Sequence, residues 1–278
     1  MTGIMDTFDN LLKLCQFEFY FCGRCVIISL RRYVMTRPIL RKNFVVGISM
    51  VDTKRRLKLS ALETILMECA SFHSGEMGLG IESTDRQNIT WVLSKMRFEI
   101  EKLPEVWDEI LVETWPLVPN GKIAFDRDFL VFDKAGKIVV KATSRWCLID
   151  IDKRRPVARE AVEYFPPKYD ERQLFEPMFF ELRTPSAGAE QREHTIAYSD
   201  LDFNGHVTNT KYFDIVLDML EKNVVENMNI GAVEIHFVSE ALPQNGFFVD
   251  FEKQENNWIF EGKTQNGKRI FLMNILEK

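Results

Sequence analysis

The chain has 278 residues, more than most single domains, and its 46% apolar and 28% charged residues are ordinary for a globular protein with a sizeable core. The net charge of −5 and the pI near 5.6 exclude the basic surplus that is typical of nucleic-acid-binding proteins. Five scattered cysteines argue against a disulfide framework and favour a reducing compartment, for which we expect the cytoplasm.

Residues 1–37 are predicted to be an N-terminal extension of unknown structure. Within it, residues 11–30 suggest a membrane or signal segment, but charges interrupt the apolar run, and a charge at mid-bilayer costs about 2.5–3.5 kcal/mol. Met35, just before the domain-like pattern, is an alternative start of translation. Cys22 and Cys25 form a CxxC motif, yet no second pair follows to complete a zinc site.

Residues 38–155 have the pattern of a first domain. Apolar residues at helical spacing predict a long helix over 59–77, with Ser60 as its N-cap candidate. The strand candidates are Phe44–Met50, Thr90–Glu101, Glu109–Trp115, Phe125–Asp133 and Ile138–Ile151, with hairpin-turn chemistry at Asp133–Gly136.

Residues 156–190 are predicted to be a linker, because prolines recur there and the segment ends in the small, polar run TPSAGAE. From residue 191 to 278 the first pattern returns as a second domain. Its predicted elements are strand Glu193–Tyr198, helix Thr210–Val225 and strands Ala232–Val238, Phe247–Glu252, Trp258–Glu261 and Arg269–Leu276, with a turn at Gln265–Lys268.

The order strand, long helix and antiparallel meander thus occurs twice, which predicts an internal repeat. Each copy is then one long helix wrapped by a curved antiparallel sheet. The predicted fold class is α+β, a tandem (double) hotdog. Joining the two sheets edge to edge would cover strands that otherwise expose unpaired backbone groups.

The loop before the second long helix, YSDLDFNGHVTNTKY at 198–212, concentrates polar side chains. Helix capping and turn formation explain each Asp, Asn and Gly there equally well when it is taken alone. Capping does not require a histidine, however, and alternation in an extended segment points Asp202, Asn204 and His206 to one side. A carboxylate can orient an imidazole, an amide can donate to a carbonyl oxygen, and a helix N-terminus offers N–H groups to an oxyanion.

The loop contains a DxNxHVxNxxY pattern that resembles the active-site loop of the acyl-acyl carrier protein (acyl-ACP) thioesterases. Its residues are Asp202, Asn204, His206, Val207, Asn209 and Tyr212. The resemblance runs from about residue 40 to the C-terminus and includes Trp91 and residues 113–115. It implies hydrolysis of fatty acyl-ACP thioesters, which releases free fatty acid and ends chain elongation. It implies no metal ion and no organic cofactor.

The resemblance also implies an acidic residue at the end of the next strand, and Glu240 occupies that place in IHFVSEAL. Strict alternation from Ile235 would put Glu240 on the opposite face. We therefore expect the strand to end or bulge near Ser239; otherwise Glu240 is a solvated charge. Some relatives carry cysteine at the next position, but here it is Ala241, which excludes a thiol nucleophile from that place.

Water is the expected nucleophile, activated either by Glu240 or by His206 held by Asp202. Asn204 and the helix N-terminus would stabilise the tetrahedral oxyanion, a contribution of about 3 kcal/mol per good donor. Protonated His206 would then serve the leaving thiolate.

The corresponding loop of the first half, residues 47–61, lacks the amide and the imidazole. Alignment sets Asp52 opposite Asp202, whereas basic residues replace the other two: Lys54 and Arg56. One reactive site is therefore expected, with the first half as the acyl-binding partner. The resemblance implies that this half sets chain length; the substrate-binding candidates, which plain core packing explains equally well, are Met67, Phe72, Met77 and Leu79.

The leaving group would be the phosphopantetheine arm of ACP, a small acidic protein, so a basic contact surface is expected. The candidates lie in the runs Lys54–Arg56 and Lys153–Arg155, although such runs are more often solvated loops: Arg55, Arg56, Arg154 and Arg155. No nucleic-acid partner and no membrane span are expected, and oligomer formation is left open.

Three alternatives remain from the sequence. An acyl-CoA thioesterase shares the fold and the chemistry. A hotdog dehydratase would need a paired histidine and acid on the helix, where this chain has only His73 and Glu76. A non-enzymatic acyl-binding protein gives no reason for the composition of the loop. His73 is expected to be a surface or core histidine, and His236 to face solvent.

Overall fold

The computed structural model describes residues 37–163, 169–242 and 246–278 with their side chains, and the backbone of residues 15–22 and 25–32. In the N-terminal extension, strands β1 (Cys15–Cys22) and β2 (Cys25–Arg32) pair antiparallel. The CxxC cysteines end one strand and begin the next, and their side chains lie outside the described part of the chain. None of the helices in the described ranges combines the length and the apolarity that a bilayer crossing requires.

The first half contains one long helix, a short helix and a meander of strands. Its elements, in chain order, are β3 (Leu40–Val45), α1 (Leu59–Glu76), α2 (Ile81–Arg86), β4 (Ile89–Ile100), β5 (Glu109–Pro116), β6 (Ala124–Phe132), β7 (Ile138–Asp150) and the two-residue β8 (Arg155–Pro156).

The second half repeats this order with a broken helix. Its elements are β9 (Glu190–His194), α3 (Lys211–Asp218), α4 (Lys222–Asn227), β10 (Ile230–Phe237), β11 (Phe247–Gln254), β12 (Asn257–Lys263) and β13 (Arg269–Glu277).

The strands of both halves form one antiparallel sheet, eleven-stranded in the described residues, with the order β3-β5-β6-β7-β4-β10-β13-β12-β11-β9 and β8 paired to β7. Read outward from the β4–β10 junction, the two halves have the same strand order. Met96 and Ile235 face each other across that junction, and both are fully buried. The tandem hotdog and the edge-to-edge joining of its two sheets are confirmed.

Helix α1 forms as its apolar spacing predicts, with its buried side chains on one stripe: Leu59, Leu62, Ile65, Leu66 and Cys69. It begins two residues earlier than a Ser60 cap requires, because Lys58 is the N-cap residue. Ser60 instead donates its hydroxyl to Asp214 Oδ1 at 2.6 Å, which ties α1 to α3. The two helices therefore lie side by side beneath the continuous sheet, as the α1–α3 contacts show.

Two predicted boundaries are wrong for the same reason. Strands β3 and β9 both end earlier than predicted, because 3-10 turns occupy Ile48–Met50 and Tyr198–Asp200. The predicted helix over 210–225 breaks between α3 and α4, where Met219 and Leu220 are buried. Apolar periodicity continues through the break, so the sequence pattern alone does not reveal it.

The predicted linker packs over the outer face of the central strands. The Arg97 guanidinium lies between the rings of Phe175 and Phe180, at 4.4 and 4.0 Å from their centroids. The Phe180 N–H donates to Glu234 Oε1 at 3.0 Å, and Glu234 also pairs with His236 Nε2 at 2.7 Å. The expectation that His236 faces solvent is therefore wrong, since its side chain is only 18% exposed and Phe179 packs beside it.

Candidate active site

The carboxylate of Asp202 builds the loop that precedes α3. Its Oδ1 accepts the backbone N–H groups of Asn204 at 2.8 Å and His206 at 3.1 Å. The Asp202 N–H donates to the His206 carbonyl, and Gly205 completes the turn with φ of +76°, a conformation that favours glycine. Asp202 thus contacts the backbone of His206, and the expected hydrogen bond from the imidazole to this carboxylate is not among the contacts of the described residues.

The first half contains the same turn without the imidazole. Asp52 Oδ1 accepts the N–H groups of Lys54 and Arg56 at 2.8 and 2.9 Å, and Arg55 has the positive φ of +63°. Local hydrogen bonds of this kind are what Asp commonly makes in turns. Because Asp52 makes them in a loop with no histidine, loop construction is sufficient to explain the aspartate in both halves.

Replacing Asp202 with asparagine should therefore keep most of any activity that depends on this loop, because the Asn Oδ1 can still accept both N–H groups. Asp202→Ala removes the acceptor, lets the loop move, and should cost about a hundredfold in kcat. Steady-state kinetics of both variants beside wild type provide the measurement. An Asn variant as inactive as the Ala variant would mean that the carboxylate charge itself takes part in the reaction.

Glu240 reaches the imidazole because β10 ends in a bulge. The N–H groups of Val238 and Ser239 both donate to the Ile270 carbonyl, at 2.8 and 3.1 Å, so two residues oppose one. After this bulge Glu240 Oε2 lies 3.5 Å from His206 Nε2, with the two side chains 44% and 25% exposed. The expectation that the strand ends near Ser239 is confirmed. The 3.5 Å separation exceeds a good hydrogen bond, as is common for catalytic pairs without substrate.

An apolar cavity of about 320 Å³ opens beside this loop. Residues 202–204 form part of its wall, and α1, α2 and the sheet of the first half supply most of the rest. Three predicted substrate-binding residues line it: Met67, Met77 and Leu79. Trp91 packs edge-on against Phe125 at 5.0 Å and Trp146 at 6.2 Å, which makes one wall aromatic. His206 and Glu240 are not among the residues of this wall. His206 is on the same loop as residues 202–204, and Glu240 follows strand β10.

Phe72, the fourth predicted substrate-binding residue, does not line this cavity. It lies on the outer side of α1, 55% exposed, with the Lys42 ammonium 5.8 Å from its ring centroid. The helical turn explains the error: Ala70 and Ser74 face the cavity, and Phe72 lies between them on the opposite side.

The cavity also has a polar patch that the sequence patterns do not predict. Arg127 lines it and is 5% exposed, and burial lowers the pKa of its guanidinium to about 10. Its Nη1 lies 3.0 Å from His73 Nδ1 and donates to Thr114 Oγ1 at 3.2 Å. Burial, followed by the Arg127 charge, lowers the pKa of His73 to about 4, so the ring is neutral at pH 7. His73 is therefore a core histidine, one of the two expectations for it.

The thiols with described side chains are unsuited to nucleophilic attack. Cys69 is fully buried, and burial raises the pKa of its thiol to about 11; burial also raises the pKa of the Cys147 thiol. A thiol attacks as its thiolate, so a raised pKa makes it less reactive at neutral pH. Both observations agree with the expectation that nothing activates these two cysteines.

Two of the four arginines predicted to contact a carrier protein have partners within the chain. Arg56 pairs with Asp52 Oδ2 at 2.8 Å and donates to the carbonyls of Met228 at 3.0 Å and Val225 at 3.4 Å, which staples the first-half loop to the end of α4. Arg154 instead contacts Glu240, with its Nη1 3.1 Å from Oε1. The remaining two, Arg55 and Arg155, are exposed.

Two family models match the chain. The acyl-ACP thioesterase N-terminal domain matches residues 38–164, and the acyl-ACP thioesterase C-terminal domain matches residues 184–267. Together these matches cover more than half of the chain.

Individual relatives agree with these models. The chain is 27% identical over 255 residues to the chloroplastic acyl-acyl carrier protein hydrolase FATB3 of Cuphea viscosissima, covering 84% of this chain and 60% of that protein. It is 26% identical to the chloroplastic palmitoyl-acyl carrier protein thioesterase of Arabidopsis thaliana, covering 76% and 54%. The chain thus spans less than two thirds of the length of these relatives.

Solved structures share the fold over most of the chain. An acyl-ACP thioesterase from Bacteroides thetaiotaomicron is 26% identical, with a TM-score of 0.76, and the match covers 87% of this chain and 98% of that one. The 12:0-ACP thioesterase from Umbellularia californica has the same TM-score and coverage at 20% identity, which is a likeness of fold.

Proposed function

The chain belongs to the acyl-ACP thioesterase family, and on that premise we propose that it hydrolyses fatty acyl-ACP thioesters to free fatty acid and ACP. The observation that carries the proposal is that His206, 3.5 Å from Glu240, lies on a loop whose residues 202–204 form part of the wall of an apolar cavity. An acyl tail in that cavity would bring its thioester carbonyl toward the loop. Apolar walls with a few polar groups at one end are typical of such ligand sites.

In the proposed reaction His206 removes a proton from water, and the hydroxide oxygen attacks the thioester carbonyl carbon. Glu240 accepts a hydrogen bond from the imidazole and stabilises the imidazolium that forms, which is the usual role of a carboxylate beside a catalytic histidine. The C–S bond then breaks, and the imidazolium returns its proton to the thiolate of phosphopantetheine. The water is consumed, one acid and one thiol are released, and the enzyme returns to its starting state.

Asn204 would stabilise the oxyanion of the tetrahedral intermediate, since residue 204 forms part of the cavity wall. The N–H groups that begin α3 are already engaged, because those of Lys211 and Tyr212 donate to the carbonyls of Thr208 and Asn209 at 2.9 and 3.3 Å. Donors aimed at a developing oxyanion contribute about 3 kcal/mol each. No step requires a metal ion or an organic cofactor.

The cavity-lining residues of α1 should set the preferred acyl chain length. Met67→Ala enlarges the cavity and should raise kcat/KM for acyl chains longer than the wild-type optimum by about tenfold, since one methylene in an apolar pocket is worth roughly 1–3 kcal/mol. Phe72→Ala is the matched control, because it truncates a large side chain of the same helix outside the cavity. Kinetics on acyl-ACP thioesters of graded length test this, and equal profiles for both variants would contradict it.

The test of the proposed function is hydrolysis by the purified full chain of matched acyl-ACP and acyl-CoA thioesters, with released fatty acid measured against chain length. We expect acyl-ACP to be the better substrate, because the carrier adds an acidic surface that exposed Arg55 and Arg155 can contact. A higher kcat/KM for acyl-CoA would favour the alternative of an acyl-CoA thioesterase. Binding of acyl groups without release of fatty acid would favour a non-enzymatic acyl-binding protein.

The proposed setting is a reducing compartment such as the cytoplasm. The two cysteines with described side chains, Cys69 and Cys147, are free thiols, which supports this proposal.

A further inference from the structure

Arg154 lies where it can control the side chain of Glu240. Its Nη1 is 3.1 Å from Oε1 and 3.4 Å from Oε2, while Oε2 is 3.5 Å from His206 Nε2. The carboxylate therefore lies between a guanidinium from the first half and the imidazole from the second. The sequence places Arg154 in a basic run and suggests carrier binding; the contacts suggest a different role.

The backbone around Glu240 is fixed, and its side chain alone is free to turn. Ser239 donates its hydroxyl to the Arg269 carbonyl at 2.7 Å and its N–H to Ile270, and the Ala241 carbonyl accepts the Val207 N–H at 3.4 Å. The Glu240 side chain is 44% exposed, so few packing contacts restrict its rotamers. A half-exposed carboxylate on a rigid backbone needs a charged partner to keep one orientation.

Arg154 lies in a rigid turn, at a position whose backbone conformation favours glycine. Its φ is +52°, a left-handed conformation that costs a non-glycine residue roughly 1–2 kcal/mol. The turn is held by Asp150, whose carbonyl accepts the Arg154 N–H at 2.9 Å and whose carboxylate accepts the Lys153 N–H and ammonium, both at 2.8 Å. An arginine at a position suited to glycine suggests a role for its side chain, and that side chain contacts Glu240 in the candidate active site.

We infer that Arg154 is a positioning residue, which holds the Glu240 carboxylate turned toward His206 so that Glu240 can orient the imidazole. This inference rests on the proposed function. In the described part of the chain, the titratable groups with a recorded interaction with Glu240 are Arg154, His206 and Tyr212, and burial, followed by the charges of Asp202 and Glu240, raises the pKa of the Tyr212 hydroxyl. Of these three groups, the guanidinium is the one with a permanent positive charge.

Arg154→Met and Arg154→Lys test the inference, with Arg192→Met as the matched control. Arg192 forms a comparable exposed pair with Glu190, at 2.6 Å on the edge strand β9. We expect Arg154→Met to lower kcat by about tenfold. Loss of an exposed ion pair usually has a few-fold effect, and misplacement of a catalytic group has an effect of about a hundredfold, so the expected loss lies between the two. Arg154→Lys should recover part of the loss, and Arg192→Met should have no effect.

The choice of substrate separates positioning from carrier binding. A positioning role lowers kcat equally on an acyl-ACP thioester and on the acyl-N-acetylcysteamine thioester of the same chain length, which has neither carrier nor phosphate. A rise in KM for the carrier substrate alone would overturn the inference in favour of docking. In a Glu240→Gln background, Arg154→Met should have no further effect on kcat, and an added tenfold loss would also overturn it.

A readout independent of turnover is the orientation of the Glu240 side chain, observed in crystal structures of wild type and Arg154→Met. Removal of the guanidinium should let the carboxylate turn away from His206 Nε2, because few packing contacts restrict a side chain that is 44% exposed. A Glu240 carboxylate that keeps its place beside His206 in Arg154→Met would refute the inference even if the wild type hydrolyses thioesters. Failure of the wild type to hydrolyse any thioester would instead refute the proposed function.

Discussion

Replacing His206 with alanine should lower kcat by about three orders of magnitude while leaving the protein folded. General acid–base catalysis by a positioned side chain contributes roughly 10²–10⁴-fold, and His206 is proposed both to activate water and to return the proton to the thiolate. The ring is 25% exposed and its loop is held by backbone hydrogen bonds to Asp202, so its removal should leave the thermal midpoint close to that of wild type. The measurement is release of fatty acid from an acyl-ACP thioester, paired with thermal unfolding.

Glu240→Gln is expected to act through the same imidazole, so the double variant with His206→Ala should be no slower than His206→Ala alone. The matched control is Glu190→Gln, which removes an exposed carboxylate on the edge strand β9. Wild-type turnover in His206→Ala would exclude the proposed mechanism. Additive losses in the double variant would mean that the two residues act in separate steps.

The second large effect concerns Glu63, a carboxylic acid inside the core of the first half. It is on the buried face of α1, 0% exposed, and both carboxylate oxygens lack a hydrogen-bond partner. Burial raises the pKa of this carboxyl from 4.5 to about 8. The folded protein therefore holds Glu63 protonated at pH 7, whereas the unfolded chain ionises it.

The direction of the pH dependence follows from that difference. Because the folded pKa exceeds the unfolded one, the unfolded state loses its proton first as pH rises, and Glu63 destabilises the fold increasingly between pH 4.5 and 8. Glu63→Gln keeps the volume but does not titrate. It should have nearly the stability of wild type at pH 5 and exceed it by about 3 kcal/mol at pH 7, at roughly 1.4 kcal/mol per pH unit.

Denaturant unfolding of wild type and Glu63→Gln at several pH values measures this, with Glu63→Met as a second variant. Methionine also removes the unpartnered polar group, so it should be more stable than wild type at pH 5 too, by about 1–3 kcal/mol. A stability difference between Glu63→Gln and wild type that stays constant from pH 5 to 8 would show that the carboxyl has a partner or reaches water.

The elements that the sequence predicts well are those with strong periodicity. The long helix α1, the meander strands and the two glycine turns, with φ of +80° at Gly136 and +76° at Gly267, all lie where the patterns indicate. The repeated order of strand, long helix and antiparallel meander is sufficient to predict the tandem hotdog. The boundaries of β3 and β9 were missed, because the two 3-10 turns that follow them have no apolar periodicity of their own.

At the candidate active site, the sequence identifies which residues meet more reliably than what each one does. The approach of His206 and Glu240 depends on a strand end, which alternation and the family resemblance together indicate. The sequence predicts that Asp202 holds the His206 ring, whereas in the structure its carboxylate accepts backbone N–H groups. An aspartate accepts hydrogen bonds from N–H groups a few residues later in the chain more readily than from a more distant ring. The partners of Arg154 and Glu63 depend on contacts between segments far apart in the chain, and no local pattern encodes them.

The hydrogen bonds of Arg56 to the second half bear on how many acyl groups one chain can bind. The loop of the first half has the same turn as the proposed reactive loop, yet its Arg56 guanidinium donates to the Val225 and Met228 carbonyls, so we expect no second acyl group to bind there. We therefore expect one acyl site in a chain built from two similar halves. Titration with a thioether analogue of an acyl thioester, which cannot be cleaved, should saturate at a single equivalent per polypeptide.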